Sequence, residues 1–310
     1  MEIFVSLDLN DRQAIRLREI AGEDKLHLHG CFDEGAPIEP SFRQCEVVLG
    51  NPPADWIAQA PALRWVQLES VGFGEYTDLN WHELGDRVTM TNLAGFFTEP
   101  VAESILAGIL ALYRGIDRLV CLQRDKDWQG DALRTELRTL KGAAVVLFGY
   151  GTISRRLAEL LRPFDCELIP IGREWEREAI DTALATADVI VSTVPDTAAT
   201  RGAFSRERLA GLKDTALFIN FGRGSVVDEE ALADALTAGS LGGAVVDVTL
   251  SEPLPDGHRF WTCPNMILTQ HSGGGTADEI DRKLEVFSQK LERYRRGDQP
   301  AGTVDFLRGY

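Results

Sequence analysis

The chain has 310 residues, 44% hydrophobic and 26% charged, the proportions of a water-soluble globular protein long enough for two cores. Asp and Glu number 48 against 32 Lys and Arg, a formal net charge of -16. That balance argues against a nucleic-acid partner or an anionic membrane surface, although one local basic site still suffices for an anionic substrate.

Read in chain order, Glu2–Leu7, Leu26–Cys31, Glu46–Gly50, Trp65–Leu68 and Val88–Thr91 are predicted strands, separated by amphipathic or loop stretches such as Asn10–Glu19 and Ala54–Ala60. A βα alternation of this kind implies a parallel sheet. A long helix follows from about Glu99 to Tyr113, with Val101, Ile105, Leu106, Ile109, Leu110 and Leu112 at helical spacing. A second series starts near Lys141. Its strands are Ala143–Phe148, Glu167–Ile171, Asp188–Thr193, Ala216–Asn220, Gly243–Val248 and Met266–Thr269, with a helix over Asp228–Ala238 for which Asp228 is the N-cap. The last helix, Thr276 to Arg295, is long enough to return to the first domain.

The expected fold class is therefore α/β with two domains. Residues 94–276 form a Rossmann-type doubly wound parallel sheet, and residues 1–93 with 277–310 a smaller flavodoxin-like α/β domain, with a ligand cleft between them. Met1–Val5 reads as a strand rather than a signal peptide, and the apolar helix around Ile105 to Tyr113 is too short to span a bilayer. Cys31, Cys45, Cys121, Cys166 and Cys263 are odd in number and lack C-x-x-C spacing, so reduced thiols are expected, with neither disulfide framework nor metal. A cytoplasmic protein follows from these readings.

The strand Ala143–Phe148 runs into Gly149-Tyr150-Gly151-Thr152-Ile153-Ser154, with a helix expected from Arg155 to about Leu161. Such a turn brings backbone N–H groups to a pyrophosphate at a helix N-terminus, so Gly149, Gly151, Thr152 and Ile153 are assigned to a dinucleotide. Thr193, Val194 and Pro195, at the end of the third strand of this series, are assigned to the same cofactor. The second strand ends Pro170-Ile171-Gly172-Arg173-Glu174. Gly172 stands where an acid would bind the adenosine ribose, and Arg173 beside it suits a 2′-phosphate, which makes NADP(H) the preferred cofactor. In the competing reading Arg173 is solvated, Glu174 is the ribose acid and the cofactor is NAD(H).

Four further segments carry reactive side chains: Arg223 on a Gly-flanked turn after a strand, Gly222-Arg223-Gly224 before Val226-Val227-Asp228-Glu229; Asp247 ending a strand after Val246; Glu252 in the rigid turn Glu252-Pro253-Leu254; and His271 ending a strand after Gln270. Ligands of open α/β sheets bind at the carboxyl ends of the strands, where Arg223, Asp247, Glu252 and His271 would all lie. Guanidinium forks bind carboxylates and polarise carbonyls, imidazole is an acid suited to neutral pH, and a carboxylate on its other nitrogen orients the ring and favours its charged form. Asp247 would sit beside a nicotinamide.

In order and spacing these segments resemble the D-isomer-specific 2-hydroxyacid dehydrogenases along nearly the whole chain. The resemblance implies Arg223, Glu252 and His271 as catalytic residues, substrate-carboxylate binding by the Val71 and Gly72 amides of Ser70-Val71-Gly72-Phe73-Gly74, and a homodimer built through the cofactor domain. Gly172-Arg173 and the chain length look most like the glyoxylate/hydroxypyruvate reductase branch, hence NADPH-dependent reduction of a small 2-oxo acid. The alternatives are an NAD-dependent enzyme for D-lactate-like or phosphoglycerate-like acids, or a dinucleotide-sensing protein. Formate dehydrogenase is disfavoured because that branch tends to carry Gln where Glu252 stands.

Three departures from the family pattern stand out: Ser154 at the third glycine position, Gln270 in place of the usual Pro, and Gly273-Gly274-Gly275 after His271, which would give that loop unusual freedom. Phe73, Phe96, Phe97 and Trp261 are candidates for lining the substrate pocket. Asp228 and Glu229 are expected to cap their helix, and the remaining histidines to serve surface or packing.

Overall fold

The computed structural model describes residues 1–30, 32 and 35–306. The chain divides into two units, one of Met1–Phe96 with Thr276–Tyr310 and one of Phe97–Gly275. In the first, β1 (Glu2–Ser6), α1 (Asp11–Ala21), β2 (Lys25–His29), β3 (Val47–Gly50), α2 (Ala54–Gln59), β4 (Trp65–Gln67), α3 (Trp81–Leu84) and β5 (Thr89–Thr91) follow one another. Their sheet is wholly parallel, in the order β2-β1-β3-β4-β5. This is the flavodoxin-like order, with its reversal between β1 and β3.

The second unit starts with α4 (Thr98–Tyr113), α5 (Ile116–Asp125) and α6 (Gly130–Arg134). The βα series is then β6 (Ala144–Phe148), α7 (Thr152–Leu161), β7 (Glu167–Ile171), α8 (Arg177–Thr186), β8 (Val189–Ser192), α9 (Arg206–Ala210), β9 (Leu217–Asn220), α10 (Glu229–Ala238), β10 (Gly243–Val246) and β11 (Met266–Leu268). All pairings are parallel and the order is β11-β10-β9-β8-β6-β7. This Rossmann-like sheet reverses direction between β6 and β8, which places a ligand crevice at their carboxyl ends.

The inner strands of this sheet, β6, β8, β9 and β10, are largely apolar because both faces are covered. Val146, Phe148, Ile190, Phe218, Ala244 and Val246 join one core with Leu232 and Leu236 of α10. Their neighbours Val145, Leu147, Val189, Val191, Ile219 and Val245 join the opposite core with Ile105 and Ile109 of α4. That alternation is the period of a pleated strand, and double coverage is the reason no polar face interrupts it. A Cβ on Gly108 would lie 2.9 Å from Val245, so glycine sets the approach of α4 to β10.

In the first unit the chain's last helix, α11 (Glu279–Arg295), presents Leu284, Phe287 and Leu291 to Ile3, Val5, Val47 and Trp65 of the sheet. Phe287 and Tyr294 stack on Trp65 with centroids 5.5 and 5.3 Å away.

All eleven expected strands are present, most of them trimmed by one or two residues at an end. Cys31, expected to end the second strand and to be a reduced thiol, lies outside the described residues. The thiols of Cys45, Cys121, Cys166 and Cys263 are free. Among the described residues no helix is long and apolar enough to cross a membrane. The Asp228 carboxylate caps α10 by accepting from the Ala231 N–H at 2.9 Å.

Candidate active site

The turn after β6 is shaped by two glycines with different tasks. Gly149 has φ +93°, and a Cβ there would lie 2.6 Å from Val194 Cγ1. Gly151 is the N-cap of α7, has no side chain to cap the helix, and would carry a Cβ into open space. The helix starts at Thr152, three residues before the expected Arg155, because Gly151 is already in the extended cap conformation. Its first amides, Thr152 and Ile153 among them, thus have no side-chain acceptor and sit at the positive end of the helix dipole, beside room that a Cβ would narrow. This cradle fits a pyrophosphate.

Ser154 does more than tolerate the third glycine position. It is fully buried, its Oγ is 2.9 Å from Thr193 Oγ1, and Thr193 Oγ1 donates to Gly149 O at 3.1 Å. The ends of β6 and β8 and the start of α7 are thereby tied together, with Val194 against Gly149 and Pro195 next in line. Asp196 receives two hydrogen bonds from Arg201, at 3.1 and 2.9 Å. These hold its carboxyl below the usual range, helped to a lesser degree by the charge of Arg223. At the end of β7 the Glu174 carboxylate folds over Gly172, where a Cβ would come within 2.7 Å of Oε2. Arg173 is exposed beside it.

The Arg223 turn is built by Asn220, the buried last residue of β9. Its Oδ1 accepts from Gly222 N at 3.1 Å and its Nδ2 donates to Arg223 O at 3.0 Å. A Cβ on Gly222 would collide with the Val194 carbonyl, and one on Gly224 with the Thr249–Leu250 backbone. The Gly-Arg-Gly sequence therefore lets Arg223 pass between these two segments. Its Nη1 donates to Gly222 O at 2.7 Å.

His271 and Glu252 meet directly: His271 Nδ1 is 2.6 Å from Glu252 Oε2. Glu252 Oε1 accepts from Thr249 N at 2.9 Å, which fixes the carboxylate plane. Glu229 braces the same turn, accepting from Leu250 N at 2.7 Å and facing His258 Nε2 at 3.2 Å. His271 Nε2 has no hydrogen-bond partner among the described residues. A ring held at Nδ1 by a carboxylate and open at Nε2 can hand a proton to an oxygen on that side. Asp247, 5% exposed, turns its Oδ1 to Thr269 Oγ1 (2.6 Å), Ser272 N (3.1 Å) and Gly273 N (3.0 Å).

Within the first unit, the Ser70–Gly74 loop is pinned by its carbonyls and side chains. Asn92 Nδ2 donates to Val71 O at 2.8 Å, Leu93 N to Ser70 O at 3.0 Å, Asn51 Nδ2 to Ser70 Oγ at 3.2 Å and Ser70 Oγ to Gly72 O at 2.7 Å. The Val71 and Gly72 amides make no hydrogen bond among the described residues, so both remain available to an anion.

Several expectations need correction. The three glycines after His271 do not loosen their loop. Gly273 is buried, its N–H is held by Asp247 and its carbonyl by Ser104 Oγ at 2.9 Å. A Cβ on Gly273 would lie 2.5 Å from Phe221, and one on Gly274 2.9 Å from Phe97, so these glycines permit close packing. Phe73 belongs to the core of the first unit and Phe97 packs against a core of the second. Trp261 is half exposed, with Nε1 on Pro255 O at 2.9 Å. Glu229 reaches Leu250 rather than simply capping α10. Sequence reasoning also gave Asn220 no role, although an Asn closing a buried strand before glycine is the signal of a side-chain-built turn. Glu2, His27 and Cys45 form a cluster of metal-ligand types. Their atoms are already engaged, Glu2 Oε2 with His27 Nε2 at 2.8 Å and Cys45 Sγ donating to Ser41 O at 3.1 Å, and burial pushes the Cys45 thiol up to about 12.

Residues 106–273 match the model of the D-isomer specific 2-hydroxyacid dehydrogenase, NAD binding domain. A glyoxylate reductase of Thermofilum pendens is 33% identical over 267 residues, 81% of this chain and 78% of the relative. A mitochondrial formate dehydrogenase of Solanum tuberosum is 32% identical over 228 residues, 68% of this chain and 58% of the relative. Among solved structures, a D-isomer specific 2-hydroxyacid dehydrogenase from Xanthobacter autotrophicus Py2, in complex with NADPH and MES, superposes with a TM-score of 0.81 at 26% identity, covering 100% of this chain and 99% of that one.

Proposed function

Because the chain belongs to the D-isomer specific 2-hydroxyacid dehydrogenase family, oxidoreductases with a nicotinamide dinucleotide cofactor, we propose that it uses NADPH to reduce a small 2-oxo acid of the glyoxylate or hydroxypyruvate type to the D-2-hydroxy acid. The observation that carries the reading is the His271 Nδ1–Glu252 contact at 2.6 Å. Reduction of a carbonyl leaves an alkoxide that must gain a proton. Oxidation of formate yields carbon dioxide and leaves no oxygen to protonate, so an imidazole–carboxylate pair has no task there. This favours the glyoxylate reductase relative over the formate dehydrogenase one as a guide to substrate.

The reduced nicotinamide, when bound, supplies the hydride. Gly149, Gly151, Thr152 and Ile153 would hold the pyrophosphate, Thr193, Val194 and Pro195 the neighbouring moieties, and Asp247 the nicotinamide. Arg223 would neutralise the substrate carboxylate and polarise its carbonyl, with the Val71 and Gly72 amides binding that carboxylate too. His271 would deliver the proton from Nε2 while Glu252 fixes Nδ1.

Arg173 at the end of β7 supports NADP(H). One observation favours a second reading: the Glu174 carboxylate over Gly172 sits where an acid could accept from the ribose hydroxyls of NAD(H). With NAD(H), D-lactate-like or phosphoglycerate-like acids become the candidates. Oxidation of NADPH and NADH against glyoxylate, hydroxypyruvate and pyruvate, repeated with Arg173→Ala, separates the two. A fall in NADPH affinity alone is expected in the variant; unchanged NADPH affinity would exclude Arg173 as the phosphate ligand.

A homodimer through the second unit accounts for α5, which has no buried residue and leaves Ile116 49%, Val120 60% and the following Trp128 95% exposed. Sedimentation of Val120→Glu should shift toward a monomer, and a monomeric parent chain would refute the assembly. The free thiols support a reducing, cytoplasmic setting.

A further inference from the structure

The turn that carries His271 has an uncommon backbone. Gln270 and His271 both take left-handed φ, +56° and +54°. L-residues other than glycine and asparagine seldom enter this region, and two in succession need outside support. The Gln270 side chain is exposed and makes no hydrogen bond among the described residues, so its backbone is what matters. The support comes from Asp247. Its carbonyl accepts from His271 N at 2.6 Å. Its Oδ1 gathers the Thr269 hydroxyl and the Ser272 and Gly273 amides, one donor before the left-handed pair and two after it. Four donors spanning Thr269 to Gly273 thus converge on one nearly buried residue.

We propose that Asp247, Thr269 and Gln270 act as a positioning unit that aims the His271 imidazole, with Gln270 standing where the left-handed turn excludes proline. The inference rests on the reading of His271 as the proton donor. It also accounts for the departure from the family's usual proline. A proline ring holds φ near roughly -65°, which this turn does not use. Restoring proline at 270 should therefore damage this chain, although it makes the sequence more like its family. Asp247 acquires a task toward the protein that is separate from any toward the cofactor, since Oδ2 makes no hydrogen bond among the described residues.

The test compares Gln270→Pro, Gln270→Gly, Thr269→Val and Thr269→Ser with the parent enzyme. Readouts are kcat and KM for hydroxypyruvate, NADPH affinity by fluorescence, and the His271 ring resonance in NMR, assigned by its loss in His271→Asn. Gln270→Pro should lower kcat at least about tenfold with NADPH affinity within about twofold, while Gln270→Gly stays within about threefold of the parent. Thr269→Val should lower kcat about threefold or more, and Thr269→Ser should restore it. The ring resonance should move in Gln270→Pro and Thr269→Val only. Parental kcat and an unmoved resonance in Gln270→Pro would overturn the proposal, as would equal damage from Gln270→Gly, because the side chain would then be the cause. Should Gln270→Pro fail to fold, the Thr269 pair decides. Should the parent reduce no 2-oxo acid, the functional reading fails, and the resonances still test the positioning unit.

Discussion

Replacing Glu252 by glutamine preserves the shape of the pair and removes its charge. In the parent protein one carboxylate oxygen accepts from Thr249 N at 2.9 Å and the other meets His271 Nδ1 at 2.6 Å. Glutamine has one acceptor oxygen, so its NH2 must face either the Thr249 N–H or the ring Nδ1. With the ring protonated on both nitrogens, as it must be to give up a proton from Nε2 while bonded through Nδ1–H, one bond is lost whichever way the amide turns. A hydrogen bond to a charged partner contributes about 1.5–3 kcal/mol. His271 and Glu252 side chains are 53% and 37% exposed, so water weakens the pair and the lower figure applies. About 1.5 kcal/mol corresponds to roughly a tenfold fall in kcat. Initial rates of NADPH oxidation with saturating hydroxypyruvate measure it, with NADPH affinity determined separately and expected to be unchanged. A kcat within twofold of the parent value would refute Glu252 as the residue that orients the acid.

Arg223→Lys should raise KM and lower kcat together, about tenfold or more in kcat/KM, because a point charge cannot replace the fork that Asn220 and the flanking glycines position; parental kinetics would remove Arg223 from substrate binding. The contribution of Lys290 to stability should rise with pH around pH 8. Lys290, half-buried on α11 with Nζ donating to Gln67 Oε1 at 2.8 Å and Asn92 O at 3.0 Å, is lowered by burial from 10.5 to about 8. Above that value the unfolded chain binds the extra proton, so the desolvation cost of the folded cation is relieved. From pH 7 to 9 this adds about 1 kcal/mol, before the buried Cys45 thiol, shifted upward, opposes it at higher pH. The Met1 ammonium, raised by its hydrogen bond to Asp24, loses stability over the same range, so the parent is compared with Lys290→Met. Denaturant unfolding should give a stability difference between the two that grows by about 1 kcal/mol in favour of the parent from pH 7 to 9. A difference that does not change with pH would contradict the assignment.

The inner strands were legible because they are covered on both faces, so apolar runs such as Val145–Phe148 carry no competing pattern. Arg223 and His271 were legible as chemistry just past strand ends and Glu252 as a carboxylate in a rigid turn, and the expected hydrogen bond between Glu252 and His271 is present. The start of α7 was misplaced because the backbone of Gly151, not a side chain, caps it. Glu229 bracing Leu250 and the donors converging on Asp247 join segments some 20 residues apart. No local spacing encodes such contacts, since they arise only once the strand ends align. The glycines after His271 were misread for the same reason: only Phe221 and Phe97, brought in by packing, reveal why a side chain is excluded.

The most direct test of the account is His271→Asn assayed with NADPH and hydroxypyruvate. Loss of a general acid removes about 10² to 10⁴ of the rate. The account predicts a kcat reduced at least about a hundredfold with NADPH affinity unchanged. Turnover within a few-fold of the parent would show that the proton comes from elsewhere and would contradict the assignment of this site.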